Sequence, residues 1–343
     1  MKWWPRAMLA LLVACPVLSV AAIEIGLPTA NDALLHGRDA DFYQPTAEGS
    51  VESATFGCVR RAGARFHEGI DIKCLQRDRR GEPIDPVRAV ADGEVAFINA
   101  RPGLSNFGRY IVLHHRWDGV EVHTLYAHLN AIADGLAINQ PVRKGQAIGT
   151  LGHSANTREG IPRERAHLHF QVNLLLNPHF DALYRRREPK APPFGGFNGQ
   201  NLFGLDPAAF LRAFTTDPNR NFAEYVARQS VAFSVLVGAR PFPWLTLHPE
   251  QIQPTVAART SSVVAYEVGA TAWGMPVAVW PRGANEISDA QRRLLQRGQP
   301  VLARINEPEL ASFGCRRLLD RNRHGWQLTD KGRSWTELLV YSP

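Results

Sequence analysis

His67-Glu68-Gly69-Ile70-Asp71-Ile72 is the stretch on which the reading of the fold turns. It opens like the helical zinc motif H-E-x-x-H, but its fifth residue is Asp. Gly69 and the β-branched Ile70 and Ile72 disfavour a helix. On a straight strand His67 and Asp71 would share a face yet lie roughly 13 Å apart. Ligands of one zinc each sit about 2 Å from the ion, so a straight strand keeps this pair too far apart. The two can share a metal only if the chain bends near Gly69, the residue that permits a bend. Taken alone, a His-Asp pair fits a polar surface loop at least as well.

Outward from this stretch the pattern is one of short β-type runs. Val87–Ala91, Glu94–Ile98, Tyr110–Leu113, Val120–Tyr126 and Ala147–Leu151 are candidate strands, with Asp92-Gly93, Asp118-Gly119 and Lys144-Gly145 as turns between them. Short strands with frequent turns predict a mainly β fold, an antiparallel sheet or sandwich. Farther on stands His167-Leu168-His169-Phe170-Gln171-Val172. On a strand its two imidazoles face the same way, about 6.6 Å apart at Cα, while Leu168 and Phe170 face the core. An amphipathic strand with a surface His pair would read the same way. Tyr126-Ala127-His128-Leu129 ends one β-like run, and a lone His there is usually structural. His114 and His115 end a strand, His123 has the opposite strand parity to His128, and His153 follows Gly152 in a loop that could line a cleft.

Together the blocks are more specific than any one of them. Their order and wording resemble the lysostaphin-type (LytM-like) family of peptidoglycan zinc metalloendopeptidases. The matching blocks are His67–Ile72, Pro86-Val87-Arg88-Ala89-Val90-Ala91-Asp92-Gly93-Glu94-Val95, Tyr126–Leu129, Val142-Arg143-Lys144-Gly145-Gln146-Ala147-Ile148-Gly149 and His167–Phe170. The resemblance spans residues 56–172 and implies Zn2+ held by His67, Asp71 and His169, with His128 and His167 as the catalytic pair. Three protein ligands leave a fourth position open for water, the pattern of a catalytic zinc. Two neutral imidazoles suit proton transfer near pH 7. The chain departs from the family pattern in three places. Arg165-Ala166 replaces the usual Gly-Pro before His167, Gln171 stands where Glu commonly follows the Phe, and Asn156–Arg165 is longer and more charged. These changes bear on the cleft rim and substrate preference rather than on the five metal and catalytic positions.

The remainder frames this domain. Lys2 and Arg6 precede an apolar run, Ala7–Ala22, too short for an ordinary membrane span, so residues 1–22 read as an export signal. Leu12-Val13-Ala14-Cys15 resembles a lipobox, which would lipidate Cys15 and attach the protein to a membrane. Ser19-Val20-Ala21 resembles an ordinary cleavage site. Either processing exports the chain, to the periplasm or as an outer-membrane or cell-surface lipoprotein. Cys58 and Cys74 bracket the His67–Asp71 motif and are candidates for a disulfide in an oxidising compartment, the alternative being two buried thiols. Cys315 has no evident partner.

Residues 23–50 read as an irregular lead-in and 51–215 as the zinc peptidase domain. Within it, about 174–205, with Arg185-Arg186-Arg187 and a Gly-rich stretch, reads as a surface insertion. A helix is expected over 206–214. Residues 216–343 read as a smaller α+β region, with helices near 222–230 and 289–297 and β-like runs at 263–266 and 277–280. A small terminal sheet is expected from 326–328 and 335–341. This region could bind wall polymer, cover the cleft or contact a partner. Its tryptophans (Trp244, Trp273, Trp280, Trp326 and Trp335) read first as core.

The net charge of +7 suits an acidic polymer or surface. It is spread over many arginines rather than one stripe, so no nucleic-acid partner is expected. The leading expectation is therefore a secreted zinc endopeptidase with peptidoglycan as substrate. A non-catalytic regulator of cell-wall hydrolases and a zinc peptidase acting on proteins are the alternatives.

Overall fold

In the computed structural model, residues 23–158, 160–190, 196–260 and 262–343 are described. The export signal and Cys15 lie outside the described residues. Among the described residues, eighteen strands follow in chain order. They are β1 Gly57–Arg60, β2 Arg65–His67, β3 Ile70–Lys73, β4 Pro86–Arg88, β5 Gly93–Asn99, β6 Arg109–Trp117, β7 Val120–Leu129, β8 Ala131–Ile132 and β9 Pro141–Val142. Then come β10 Ala147–Thr150, β11 His167–Leu175, β12 Leu202–Leu205, β13 Phe233–Gly238, β14 Ala265–Ala270, β15 Pro276–Arg282, β16 Val301–Ile305, β17 Leu319–Asn322 and β18 Gly325–Leu328.

The main sheet runs β12-β11-β7-β6-β5-β9, and β3 also pairs with β11. All its pairings are antiparallel. The smaller sheet β4-β10-β8 contributes Val87 and Ile148 to the core that also holds Tyr126 and Phe170. Alternation along β11 sends Leu168, Phe170 and Val172 into that core and leaves His167, His169 and Gln171 on the opposite face.

The second half of the chain forms a four-stranded sheet, β15-β14-β13-β16, with helices Pro243–Leu247, Asp289–Gln296 and Asp330–Val340. Its Phe233, Trp244 and Leu339 join the same buried apolar cluster as Tyr126 and Phe170. Trp244 and Trp335 are core residues, while Trp273, Trp280 and Trp326 are half-buried. The helix Pro207–Thr216 starts where Asp206 caps it through the amides of Ala208 and Ala209.

Three expectations need correction. Cys58 pairs with Cys315 across 257 residues, not with Cys74. Cys74 is a free thiol whose pKa is pushed up to about 12, by burial first and then by the Asp85 carboxylate it contacts at 3.0 Å. The stretch 174–205 is not wholly a surface insertion. β11 continues to Leu175 and buried β12 returns to pair with it, so the excursion is confined between them. Trp335–Tyr341 is no strand: Trp335, Leu338 and Leu339 are one face of a helix capped by Thr329, because i, i+3 and i+4 spacing faces one way. The lead-in, though irregular, is anchored. Phe42 and Tyr43 are buried, Tyr43 bridges to Ile72, and the Gln44 amide donates to the Asp71 carbonyl at 2.9 Å.

Candidate metal and catalytic centre

The chain bends at Glu68-Gly69 between β2 and β3, which turns His67 back toward Asp71. A Cβ on Gly69 would stand 2.4 Å from the Phe170 carbonyl oxygen and 3.0 Å from His169 Cε1, so only glycine fits this close approach. β3 lies antiparallel to β11 with Asp71 directly opposite His169. The bend and that register bring three side chains together, although two of them lie 98 residues apart. Asp71 Oδ1 is 3.2 Å from His67 Nε2 and 3.1 Å from His169 Nδ1, and the two nitrogens are 3.1 Å apart. All three residues are buried. Among the described residues, this is the one group of three or more His, Cys, Asp or Glu side chains whose donor atoms cluster closely enough for a metal.

The donor chemistry fits zinc: two imidazoles and one carboxylate. His67 Nδ1 lies 2.7 Å from the Thr55 carbonyl oxygen, which can only accept, so Nδ1 carries the proton and Nε2 presents its lone pair to the cluster. Burial by itself would raise the Asp71 carboxyl. The neighbouring His167 and His67 rings, the Arg60 guanidinium and the His169 hydrogen bond outweigh it and hold the group well below the carboxylate range. Asp71 is therefore an anion at neutral pH.

His128 and His167 stand beside this cluster. Their rings are 4.9 Å apart, and His128 is 5.8 Å from the His169 ring. His128 Nδ1 donates to the Ser154 carbonyl at 2.9 Å and His167 Nδ1 to the Arg165 carbonyl at 2.7 Å. Each ring thus keeps its basic lone pair on Nε2, and that of His167 lies 3.5 Å from Asp71 Oδ2. Burial, then the neighbouring His167 and His169, pushes His128 well below the ordinary imidazole value, and burial also lowers His167. Both are neutral at pH 7.

His128 reaches this face by an irregularity. Its φ is +63°, a sparsely populated region for a residue with a side chain, and the β6–β7 register shifts between Arg109 and Ile111 opposite it. A regular strand would send His128 to the face opposite Ala127, which pairs with His169. The bulge turns it toward His169. His123, opposite Asn173, lies on that same sheet face farther along, so simple parity separates the two wrongly. His153 pairs with Glu82 at 3.2 Å and the Ile161 carbonyl, and none of its hydrogen bonds or ring contacts joins the five site residues. His115 is structural, held by the Asp92 carbonyl and Thr124.

Sequence reasoning missed Arg60. Its Nη2 is 2.8 Å from His67 Nε2 and also bonds Asp71 Oδ2, so a guanidinium already meets two of the three donors. Arg60 comes from the β1–β2 hairpin, whose register shifts between Cys58 and Arg60 and whose turn places Arg61 and Ala62 at φ +53° and +52°. The same hairpin is tied through Cys58 to Cys315. Phe107, stacked on His169 at 5.5 Å, was also missed, and no local motif marks either residue.

Residues 65–179 match peptidase family M23, so the chain carries an M23 domain over that span. Several solved structures are similar. A zinc containing peptidase from Vibrio cholerae is 27% identical over 31% of this chain and 26% of its own, with a TM-score of 0.24. Csd3 of Helicobacter pylori is 28% identical over 32% of this chain and 23% of its own, with a TM-score of 0.23. The catalytic domain of the antimicrobial peptidase lysostaphin from Staphylococcus simulans is 22% identical over 50% of this chain and 89% of its own, with a TM-score of 0.28. The matched part spans about a quarter of the Vibrio and Helicobacter proteins. No curated protein sequence matches the chain.

Proposed function

We propose that this protein is an exported zinc metalloendopeptidase that hydrolyses peptide bonds in peptidoglycan stem peptides or cross-bridges. The observation that carries the reading is the convergence of His67, Asp71 and His169 beside two further histidines whose Nδ1 atoms are engaged by backbone carbonyls, which leaves Nε2 as the basic nitrogen of each. His67, Asp71 and His169 would hold the metal. Zinc bound there supplies a Lewis acid that polarises a scissile carbonyl and acidifies water. His128 and His167, neutral at pH 7, are placed to take a proton at Nε2 and return it to the leaving amine. The Ser154 and Arg165 carbonyls fix both rings in the tautomer that exposes Nε2. Phe107 stacks on the His169 ring beside the cluster.

Export is part of the proposal. The Cys58–Cys315 disulfide supports an oxidising compartment, and Lys2, Arg6 and the apolar run after them support a leader. Digestion of purified sacculi by the full-length protein, with products identified by mass spectrometry, tests the reading. Release of peptide-cleaved muropeptides supports it. Intact sacculi alongside cleaved casein would move the substrate to proteins.

One observation favours a second reading. The guanidinium of Arg60 already satisfies Asp71 and His67. A domain whose ligand set is filled by its own side chain would serve as a regulator of wall hydrolases rather than as an enzyme. Absence of zinc binding at micromolar free zinc would select this second reading.

A further inference from the structure

His169 meets the ligand cluster through Nδ1. That atom lies 3.1 Å from the Asp71 carboxylate, an acceptor, and 3.1 Å from His67 Nε2, whose lone pair faces Arg60 Nη2 at 2.8 Å. A nitrogen facing a carboxylate oxygen carries a proton, so His169 is the Nδ1–H tautomer in this arrangement. Its Nε2 then presents a lone pair, and the atom facing it at 2.7 Å is the amide nitrogen of Gln171, a donor. Gln171 Oε1 in turn accepts from Asn173 Nδ2 at 3.1 Å. Gln171 is fully buried and Asn173 nearly so, and Asn173 Oδ1 has no hydrogen-bond partner among the described residues. The chain His169–Gln171–Asn173 runs along one face of β11, and Gln171 Cγ sits 2.9 Å from where a Gly69 Cβ would be. Gln171 is therefore packed in place beside the bend that forms the cluster.

A metal cannot use this tautomer. Ligation through Nδ1 needs the lone pair there and the proton on Nε2, where it would point at the Gln171 NH2. Two donors cannot pair. A half-turn of the Gln171 amide presents Oε1 instead and directs its NH2 at Asn173. A matching turn of the Asn173 amide presents Oδ1, the atom that has no partner now. Both states of the chain are then hydrogen-bonded along its length. A glutamine can serve each state, whereas a carboxylate at this position only accepts and suits the metal-ligating tautomer alone.

We propose that Gln171 is a positioning residue that selects the tautomer of His169, and that reversal of the Gln171 and Asn173 amides accompanies metal binding and sets its affinity. This rests on the zinc reading above for its consequence, but not for the tautomer itself. Outer partners of metal-bound imidazoles change metal affinity by about 10–100-fold when mutated. Gln171→Met can neither donate nor accept, so zinc affinity measured by chelator competition should fall by roughly that range. Gln171→Glu removes the option that favours the metal-free tautomer and makes His169 more basic, so affinity should rise about tenfold or more.

The decisive readout is the nitrogen-15 imidazole spectrum of metal-free full-length protein, which reports tautomers directly. Wild type should show His169 protonated at Nδ1, and Gln171→Glu should show it protonated at Nε2. Zinc should move the wild type to the Nε2–H form. An unchanged His169 tautomer in metal-free Gln171→Glu, or zinc affinity of Gln171→Met within twofold of wild type, would overturn the proposal. Should wild type bind no zinc, the enzyme reading fails, while the metal-free spectra still decide the tautomer claim. Unchanged thermal unfolding of Gln171→Glu separates its effect from misfolding.

Discussion

Replacing Arg60 with alanine gives the domain's ligand set a direct test. The Arg60 side chain is 18% exposed and Asp71 3%, so the pair is largely out of water. Removing one partner of a buried ion pair costs about 3–5 kcal/mol. Metal-free Arg60→Ala should therefore lose stability on that order. For a chain of this length the melting temperature should fall by roughly 5–10 °C. Metal binding moves the other way. A cation entering the cluster must take the His67 Nε2 lone pair and the Asp71 charge from the guanidinium. Hydrogen bonds to charged groups are worth about 1.5–3 kcal/mol, so their removal in advance should tighten zinc binding about 10–100-fold. By linkage, the thermal gain on adding zinc should be larger in the variant than in wild type. Chelator competition gives the affinities, and scanning fluorimetry with and without zinc gives the melting shifts. Weaker zinc binding by Arg60→Ala would refute the reasoning. It would mean that the guanidinium braces Asp71 in the metal-bound state instead of competing for it.

Other outcomes follow from the same geometry. Loss of the Cys58–Cys315 disulfide releases a closed loop spanning 257 residues. Chain entropy sets an upper bound of about 5 kcal/mol on the loss, so Cys315→Ala should melt clearly lower, and an unchanged melting temperature would count against the pairing. Gly69→Ala places a Cβ 2.4 Å from the Phe170 carbonyl, so β3 must move off β11. Zinc affinity should drop at least about tenfold while far-UV circular dichroism is kept; an unaltered affinity would show that the bend tolerates a side chain.

Buried His123 is held down to about 3, first by desolvation and then by His114, His115 and His248. A histidine with a depressed folded value favours the neutral form. Its contribution is complete above the unfolded value of about 6.5 and is lost as pH falls from there toward about 3. At pH 5 the loss is about 2 kcal/mol, so urea unfolding of His123→Phe should show that much less acid sensitivity, and equal sensitivity would refute it.

Local signals made the site legible, whereas the long-range contacts were hidden. Once the family resemblance made His67 and Asp71 ligands of one metal, the need for a bend at Gly69 followed from their spacing, because two such ligands cannot lie four residues apart on a straight strand. The orientation of His167 and His169 followed from strand alternation. Position 128 was different. Strand parity sends His128 away from His169, and only a bulge with a positive φ corrects it; no sequence rule marks that bulge. The Cys58–Cys315 pair was invisible because connectivity over such a separation depends on how the two halves pack, not on spacing. Arg60 was hidden for the same reason, since its approach depends on a register shift within a hairpin. Trp335–Tyr341 was misread because Trp335, Leu338 and Leu339 suit a helix face while a short apolar run also suits a strand.

The most direct test of the central claim is metal content by elemental analysis, read beside muropeptide release, for three purified full-length proteins. Wild type should carry one zinc per chain and cut sacculi. His169→Ala should lose both zinc and cleavage. His128→Ala should keep its zinc and lose cleavage. Zinc retained at full occupancy in His169→Ala, or undiminished cleavage by His128→Ala, would contradict the assignment of ligands and catalytic histidines.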